Sequence, residues 1–337
     1  MSSTFTRKWF ISMKDIYFNE KYGKLYEKSE GGKVHHWKYE GREGAISYQF
    51  IVREIPISLG DGKWFDIISP YGYGGPLIER IDTTKIELLN AYETEFGAFC
   101  EENRIVSEFV RFHPLFENGL DFQNIYHSQC IRHTVVTDLM DCGDPVESAF
   151  SKSCRKNIRQ ALKKGVTWRI TRAPKNLDAF KEIYYATMDR NHAVEYYYFN
   201  DEYFENCLMF FPDNLLLIEA LYDRQIIAAG LYFLSGRDIH VHLSGTLPEY
   251  LFLSPAYILR YALCVWGKEN GFERIHHGGG RTNDESDALY QFKKQFGTRT
   301  AAFYIGKRVW NPEVYEKLCD CSSKDKNSEF FPAYRSR

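Results

Sequence analysis

The sequence predicts a mixed α/β fold arranged as two tandem domains, on three observations. Its 337 residues exceed what one hydrophobic core fills, since a core stops growing beyond roughly 250–300 residues. Its composition, 44% hydrophobic and 26% charged, is that of a folded globular chain. The third observation is an order of strand, strand, helix, strand that occurs twice.

In the first occurrence, apolar alternation in AISYQFIVREIPI and a continuous run in WFDIISP predict two strands, followed by the glycine-rich turn PYGYGGP. Thr84 with Glu87 three residues on is the pattern of a capping box, Ile86, Leu89, Glu93 and Phe96 trace helical turns, and Asn103 closes the helix before RIVSEFVRF resumes strand character. The second occurrence runs through QIIAAGLYFL and DIHVHLSG, a helix opened by Ser254 with Pro255 at its first position and closed at Gly271, and the strand ERIHHGG. Such a plan makes two mixed sheets with helices packed on them. The expected domains are residues 1–150 and 151–318. A polar, loosely held tail, 319–337, carries Phe330, Phe331 and Tyr334 as the residues able to dock it.

The second domain opens on FSKSCRKNIRQALKKGVTWRITRAPKN, in which Lys152, Arg155, Lys156, Arg159, Lys163, Lys164, Arg169, Arg172 and Lys175 occur without an acid. Lys152, Lys156, Arg159 and Lys163 share one helix face, while Ile158, Ala161 and Leu162 turn inward until Gly165 ends the helix. Either this is a solvated face balanced by acidic neighbours, or it contacts phosphate.

With 43 basic and 45 acidic residues the net charge is −2, so no overall field holds DNA, and phosphate binding has to come from a local patch. No run approaches the roughly 20 apolar residues of a membrane span, and the start offers no small-residue cleavage site, so the expected compartment is the cytoplasm. The cysteines are scattered and read as buried, reduced thiols. His240 and His242 alternate on one strand and His276 and His277 sit on another, but no carboxylate or cysteine completes a familiar spacing, so no metal is expected. The chain has no GxSxG, HExxH or GxxxxGK[ST] motif.

PYGYGGP, CRKNIRQALKKGV, YYATMDRNHAVEYYYFNDEYF, HLSGT and HHGGGRTNDESDALYQFKKQFG, in this order and over roughly residues 45 to 315, resemble the FemABX-like branch of the GNAT superfamily. The resemblance implies two GNAT-like domains and transfer of an acyl group, including amino acids from aminoacyl-tRNA onto peptidoglycan precursors. The family's GGG followed by FKxxF is matched by Gly278, Gly279, Gly280, Phe292, Lys293 and Phe296, which makes Lys293 the catalytic candidate, able to stabilise charge on the donor or on a developing oxyanion. RKNIR carries over Arg155, Asn157 and Arg159 as phosphate contacts. PYGYGGP carries over Tyr71, Tyr73 and Gly74 as acceptor contacts, with glycines there allowing φ > 0 and close backbone approach. Tyr196, Tyr197 and Tyr198 line the cleft or pack in the core, Tyr197 being the candidate contact.

Two departures bear on the donor. Acetyltransferases of this superfamily hold the coenzyme A pyrophosphate on a glycine-spaced loop at a helix N-terminus, where N–H groups and the helix dipole meet the anion. The stretch here, TLPEYLFLSPAYIL, has no glycine. The long helical arm of some bridge-forming members is also missing, which puts tRNA use in doubt. The expectation is an acyl- or aminoacyltransferase with no tightly bound cofactor, using acyl-CoA or aminoacyl-tRNA as donor and an amine on a cell-envelope precursor or amino sugar as acceptor. His276, His277, Asp284 and Asp287 are nearby groups for the proton, with none chosen. The alternatives are a non-catalytic binding module on the same fold and an acetyl-CoA-dependent N-acetyltransferase of a small metabolite.

Overall fold

The computed structural model describes residues 15–60, 62–140, 143–325 and 330–336. Its strands are β1 (Gly32–Gly41), β2 (Gly44–Glu54), β3 (Phe65–Ile68), β4 (Leu77–Ile81), β5 (Ile105–Arg111), β6 (Gln129–Asp138), β7 (Thr167–Arg172), β8 (Leu215–Tyr222), β9 (Gln225–Ser235), β10 (Asp238–Thr246), β11 (Arg274–Gly278) and β12 (Arg299–Val309). The longer helices are α1 (Lys85–Glu102), α2 (Lys152–Lys163), α3 (Asp178–Arg190), α4 (Asp201–Phe210), α5 (Pro255–Glu269), α6 (Ala288–Lys294) and α7 (Pro312–Cys321).

The repeated plan is present in three dimensions. In one half β3 leads through α1 to β5, laid parallel beside it, and in the other β10 leads through α5 to the parallel β11. The halves then exchange strands. β6, which precedes the basic helix, pairs with β11, and β12, from the end of the chain, pairs with β5, while β6 and β12 pair with each other. The two expected sheets are therefore one, in the order β1-β2-β3-β5-β12-β6-β11-β10-β9-β8-β7, with β4 paired to β2. The correction has a simple cause: each final strand finds its open edge on the other half.

Local signals act as the sequence indicates. Thr84 Oγ1 accepts from the Glu87 N–H while the Glu87 carboxylate accepts from the Thr84 N–H, a complete capping box, and Asn103 follows the last turn of α1. α1 buries Leu88, Tyr92, Phe96 and Cys100. Ser151 caps α2 by accepting from the Cys154 N–H, and Gly165 takes a positive φ of 92° just past its end. Residues 16–26 pack on α3, α4 and β8–β10 of the other half, burying Tyr17, Tyr22 and Tyr26.

The tail is held, not loose. Tyr334 is buried, its hydroxyl 2.8 Å from Ser107 Oγ and 3.1 Å from Asp66 Oδ2, and Arg335 donates to the same carboxylate. Phe331 packs beside it, whereas Phe330 is exposed. Among the described residues Cys100, Cys154, Cys207, Cys264 and Cys319 are buried, but Cys130 and Cys321 are exposed, against expectation, and Cys142 lies outside the described residues. No helix among the described residues is long and apolar enough to cross a membrane.

Candidate functional site

The triple glycine at the end of β11 organises the site. Asp287, the N-cap of α6, accepts through Oδ1 from the Tyr290 N–H and through Oδ2 from the N–H groups of Arg281 and Thr282, folding the turn back onto the helix. Burial would raise the Asp287 pKa, but these N–H donors hold it below the usual range. Lys293, in the last turn of α6, then reaches the turn and donates to the Gly279 carbonyl at 2.7 Å. Arg132 of β6 donates to the next carbonyl, that of Gly280, also at 2.7 Å. Side chains are excluded by this crowding. A Cβ at Gly280 would lie 2.5 Å from Asp287 Oδ1, and one at Gly278, whose φ is 73°, would lie 3.3 Å from Lys293 Nζ and 3.5 Å from the Tyr73 hydroxyl.

Although part of its stem reaches solvent, the Lys293 amine is desolvated, and burial, reinforced by the cationic Arg260 and Arg132 and opposed by Asp287, lowers its pKa to about 7. Arg260, buried on α5, lies over the Tyr232 ring and donates to its hydroxyl at 3.3 Å, while its Nε has no hydrogen-bond partner. His277 is fixed in one tautomer. Thr137 gives its hydroxyl proton to the Phe296 carbonyl and so accepts from His277 Nε2, 2.8 Å away, leaving Nδ1 bare. Burial, then Arg260 and Lys293, keep that imidazole neutral.

The PYGYGGP turn brings Tyr73 to this point. Its ring packs edge-on against Tyr17, His113 and Phe303 and tilts over His276, and its hydroxyl reaches the neighbourhood of Gly278. Tyr71 turns toward a second aromatic group, Tyr26, Tyr196, Tyr197 and Phe199, and burial raises its pKa to about 12. Tyr196 is drawn off to Glu30 and Tyr198 to Asp189, leaving Tyr197 half-exposed beside Tyr71. The glycine argument holds for the neighbours of Gly74 and not for Gly74 itself: Gly72 and Gly75 have positive φ, and Gly74 is held in a bridge to Phe112.

The RKNIR residues are placed elsewhere. Arg155 donates to the carbonyls of Glu147 and Phe150 and pairs with the Glu147 carboxylate, closing the short helix ahead of α2. Arg159 is exposed on the side of α2 opposite the buried Cys154, Ile158 and Ala161, and Asn157 is half-buried. The helix meets the site only at its start, where the Ser151 N–H donates to the Gln295 carbonyl at 2.9 Å.

Beneath Tyr73 lies a group that sequence reasoning missed. Asp15, buried, accepts from His240 Nε2 at 2.7 Å and faces His113 Nε2 at 3.5 Å. It supplies the carboxylate that the histidine spacing lacked, and no pattern around Asp15 signals it. His113 Nδ1 accepts from the Leu115 N–H, so its proton sits on Nε2, which leaves that nitrogen no lone pair for a cation. Burial opposes ionisation of Asp15, yet His240 and His113 hold its pKa well below the usual carboxylate range. Arg132 and Arg260 were likewise unmarked by any motif.

A cavity of about 230 Å³ opens beside the turn, lined by Arg132, His133, Gly280, Thr282, Asp284 and Tyr290. A roomier one of about 820 Å³ lies between residues 24–33, β2, β3 and α4, away from Lys293. The desolvated Lys293 and the bare ring nitrogens of His276 and His277 gather about the glycine turn that the smaller cavity adjoins, which makes it the candidate site.

Residues 148–294 match the acetyltransferase (GNAT) domain family. The UDP-N-acetylmuramoylpentapeptide-lysine N(6)-alanyltransferase of Weissella viridescens is 24% identical over 172 residues, 50% of this chain and 50% of that protein. The matched segment thus spans about half the length of this curated relative. The fold is similar to that of FemX, with a TM-score of 0.67 at 14% identity over 90% of this chain and 94% of the other. It is also similar to the C-terminal domain of a putative lysylphosphatidylglycerol synthetase from Agrobacterium fabrum, with a TM-score of 0.55 at 11% identity over 89% of each chain. Residues 148–294 thus match a GNAT acetyltransferase domain, and in sequence and fold the chain is similar to members of the FemABX-like branch of that superfamily.

Proposed function

We propose that the chain is an acyl- or aminoacyltransferase that joins an activated acyl group to an amine on a cell-envelope precursor or amino sugar, with Lys293 as the catalytic residue. The observation that carries this reading is the Lys293 amine, lowered to a pKa of about 7 at the triple-glycine turn beside a cavity. A lysine so poised is substantially neutral at physiological pH and can take a proton from the attacking ammonium. The freed amine attacks the acyl carbon, a C–N bond forms, and the ester or thioester bond to the donor breaks. The proton held on Lys293 is then returned to the departing oxygen or sulfur, and the second proton, shed by the nitrogen as the amide forms, passes to the again neutral Lys293 and on to solvent. Arg132 and Arg260, both cationic and close enough to depress Lys293, favour the negative charge that develops on the carbonyl oxygen.

An aminoacyl donor fits better than acyl-CoA. Where a pyrophosphate loop is wanted, the chain has a 3-10 turn, Pro248–Leu253, and α5 begins with Pro255, which has no N–H to offer an anion. The relative in Weissella viridescens, an alanyltransferase acting on a UDP-linked muramoylpentapeptide, supports an acceptor of that chemical kind. The test is single-turnover transfer from radiolabelled alanyl-tRNA or acetyl-CoA to UDP-linked muropeptides and amino sugars, with a Lys293→Met variant alongside. Transfer by the native chain that the variant lacks supports the reading, and binding of either substrate without transfer by the native chain points to a recognition module instead.

A further inference from the structure

We propose that the outward face of α2 and the neighbouring Leu251–Phe252 ridge form a docking surface for an anionic lipid bilayer. α2 buries Cys154, Ile158 and Ala161 and turns Lys152, Lys156, Arg159 and Lys163 directly away from the core, all four exposed. None of the four makes an ion pair among the described residues. The local acid Glu147 is engaged by Arg155, and Glu249 is the acid of the adjoining 3-10 turn.

At the C-terminal end of this stripe, Lys164 donates to the Phe252 carbonyl at 3.3 Å and its ammonium lies 5.4 Å from the centre of the Phe252 ring. Phe252 is 64% and Leu251 50% exposed, so two large apolar side chains stand in water at the edge of a cationic face. A polyanion would account for the cations alone. A bilayer accounts for both, because its headgroups attract the lysines while its acyl boundary takes up the phenyl and isobutyl groups. With a net charge of −2, the chain has no general attraction to such a surface, so this local patch sets the orientation.

The geometry also ties the surface to the site. Ser151 and Ser153 at the start of α2 donate to the main chain and side chain of Gln295, two residues beyond Lys293. Docking through α2 therefore holds the Lys293 turn close to the plane of the headgroups. The inference does not depend on the role of Lys293, and its test reads binding and not turnover.

The full chain is floated with vesicles of phosphatidylglycerol and phosphatidylcholine, and with phosphatidylcholine vesicles alone. Binding to the anionic vesicles should be at least about tenfold the stronger, and should weaken with salt. Replacing Lys152, Lys156, Arg159 and Lys163 with Gln should reduce it by about tenfold or more. A Leu251→Ser, Phe252→Ser variant should lose vesicle binding while keeping native retention on heparin. Circular dichroism and melting curves check that both variants fold, as expected for exposed positions. Equal binding to both vesicle types overturns the proposal. So does native vesicle binding by the Leu251→Ser, Phe252→Ser variant together with displacement by RNA, which would make the stripe a polyanion site.

Discussion

Lys293 and Arg132 come from different halves of the strand exchange and donate to consecutive carbonyls of one turn, Gly279 and Gly280, each across 2.7 Å. Two basic groups are thereby held against a short stretch of backbone, and the lysine, desolvated by burial above all and then opposed by Arg260 and Arg132, loses affinity for its proton. If the neutral amine is the working form, kcat rises with pH through about 7 and levels above it. Lys293→Met should remove that limb and lower kcat by about 10²–10⁴-fold. The same variant should melt higher than the native chain, since it removes a desolvated charge. A stabilised but inactive variant is the signature of a residue kept for chemistry, and a destabilised one would mark Lys293 as a structural group.

Gly278→Ala should damage activity more than stability. The positive φ of 73° costs a side chain about 1–2 kcal/mol, and the added methyl would crowd Lys293 Nζ at 3.3 Å. The comparison of kcat with the denaturant midpoint checks this. Proportionate losses in both would show that the turn serves only the fold.

Acid should unfold the protein before its carboxylates titrate. Burial lowers the pKa values of His113, His276 and His277, and burial followed by His240 lowers that of His242 to about 3. Each stays neutral in the native state while its unfolded counterpart takes a proton near pH 6.5, so stability is full above that pH and falls below it. For His242 alone the loss between pH 6.5 and 5 is about 2 kcal/mol. Asp15 has the opposite origin: its contribution persists above its unfolded pKa and is lost only as pH drops through its still lower native value. Denaturant titrations at pH 7.5, 6 and 5 test the order. A flat profile over that range would mean that these imidazoles are charged in the folded state.

Asp66 accepts from Arg53 at 2.8 Å, from Tyr334 at 3.1 Å and from Arg335, and it is 1% exposed. Tyr334→Phe should cost about 1–2 kcal/mol by stranding the buried Ser107 hydroxyl and leaving Asp66 Oδ2 with Arg335 as its remaining donor. Urea denaturation reads the difference, and a neutral result would mean that water replaces the phenol.

What the sequence made legible was local. The Thr84–Glu87 box and the cationic face of α2 depend on residues a few turns apart, where spacing alone fixes proximity, whereas Lys293 was singled out only by resemblance to the family's FKxxF phrase. Asp15 was invisible because its partners, His113 from the loop after β5 and His240 from β10, come from different halves and share no periodicity with it. Arg155 shows the reverse difficulty. Its place in a basic motif suggests phosphate, but nearby carbonyls at a helix end claim its donors first.

The exchange of β6 and β12 has a mechanical consequence. A ligand site between two lobes usually opens by hinge bending, yet here the lobes are sewn together by a continuous ladder of backbone hydrogen bonds, β5 to β12 to β6 to β11. Rotating one lobe away from the other would shear that ladder. The seam therefore has to melt with the rest of the molecule in a single transition. Residues 1–150 expressed alone would carry β6 with neither of its partners, an unsatisfied strand edge in place of a domain.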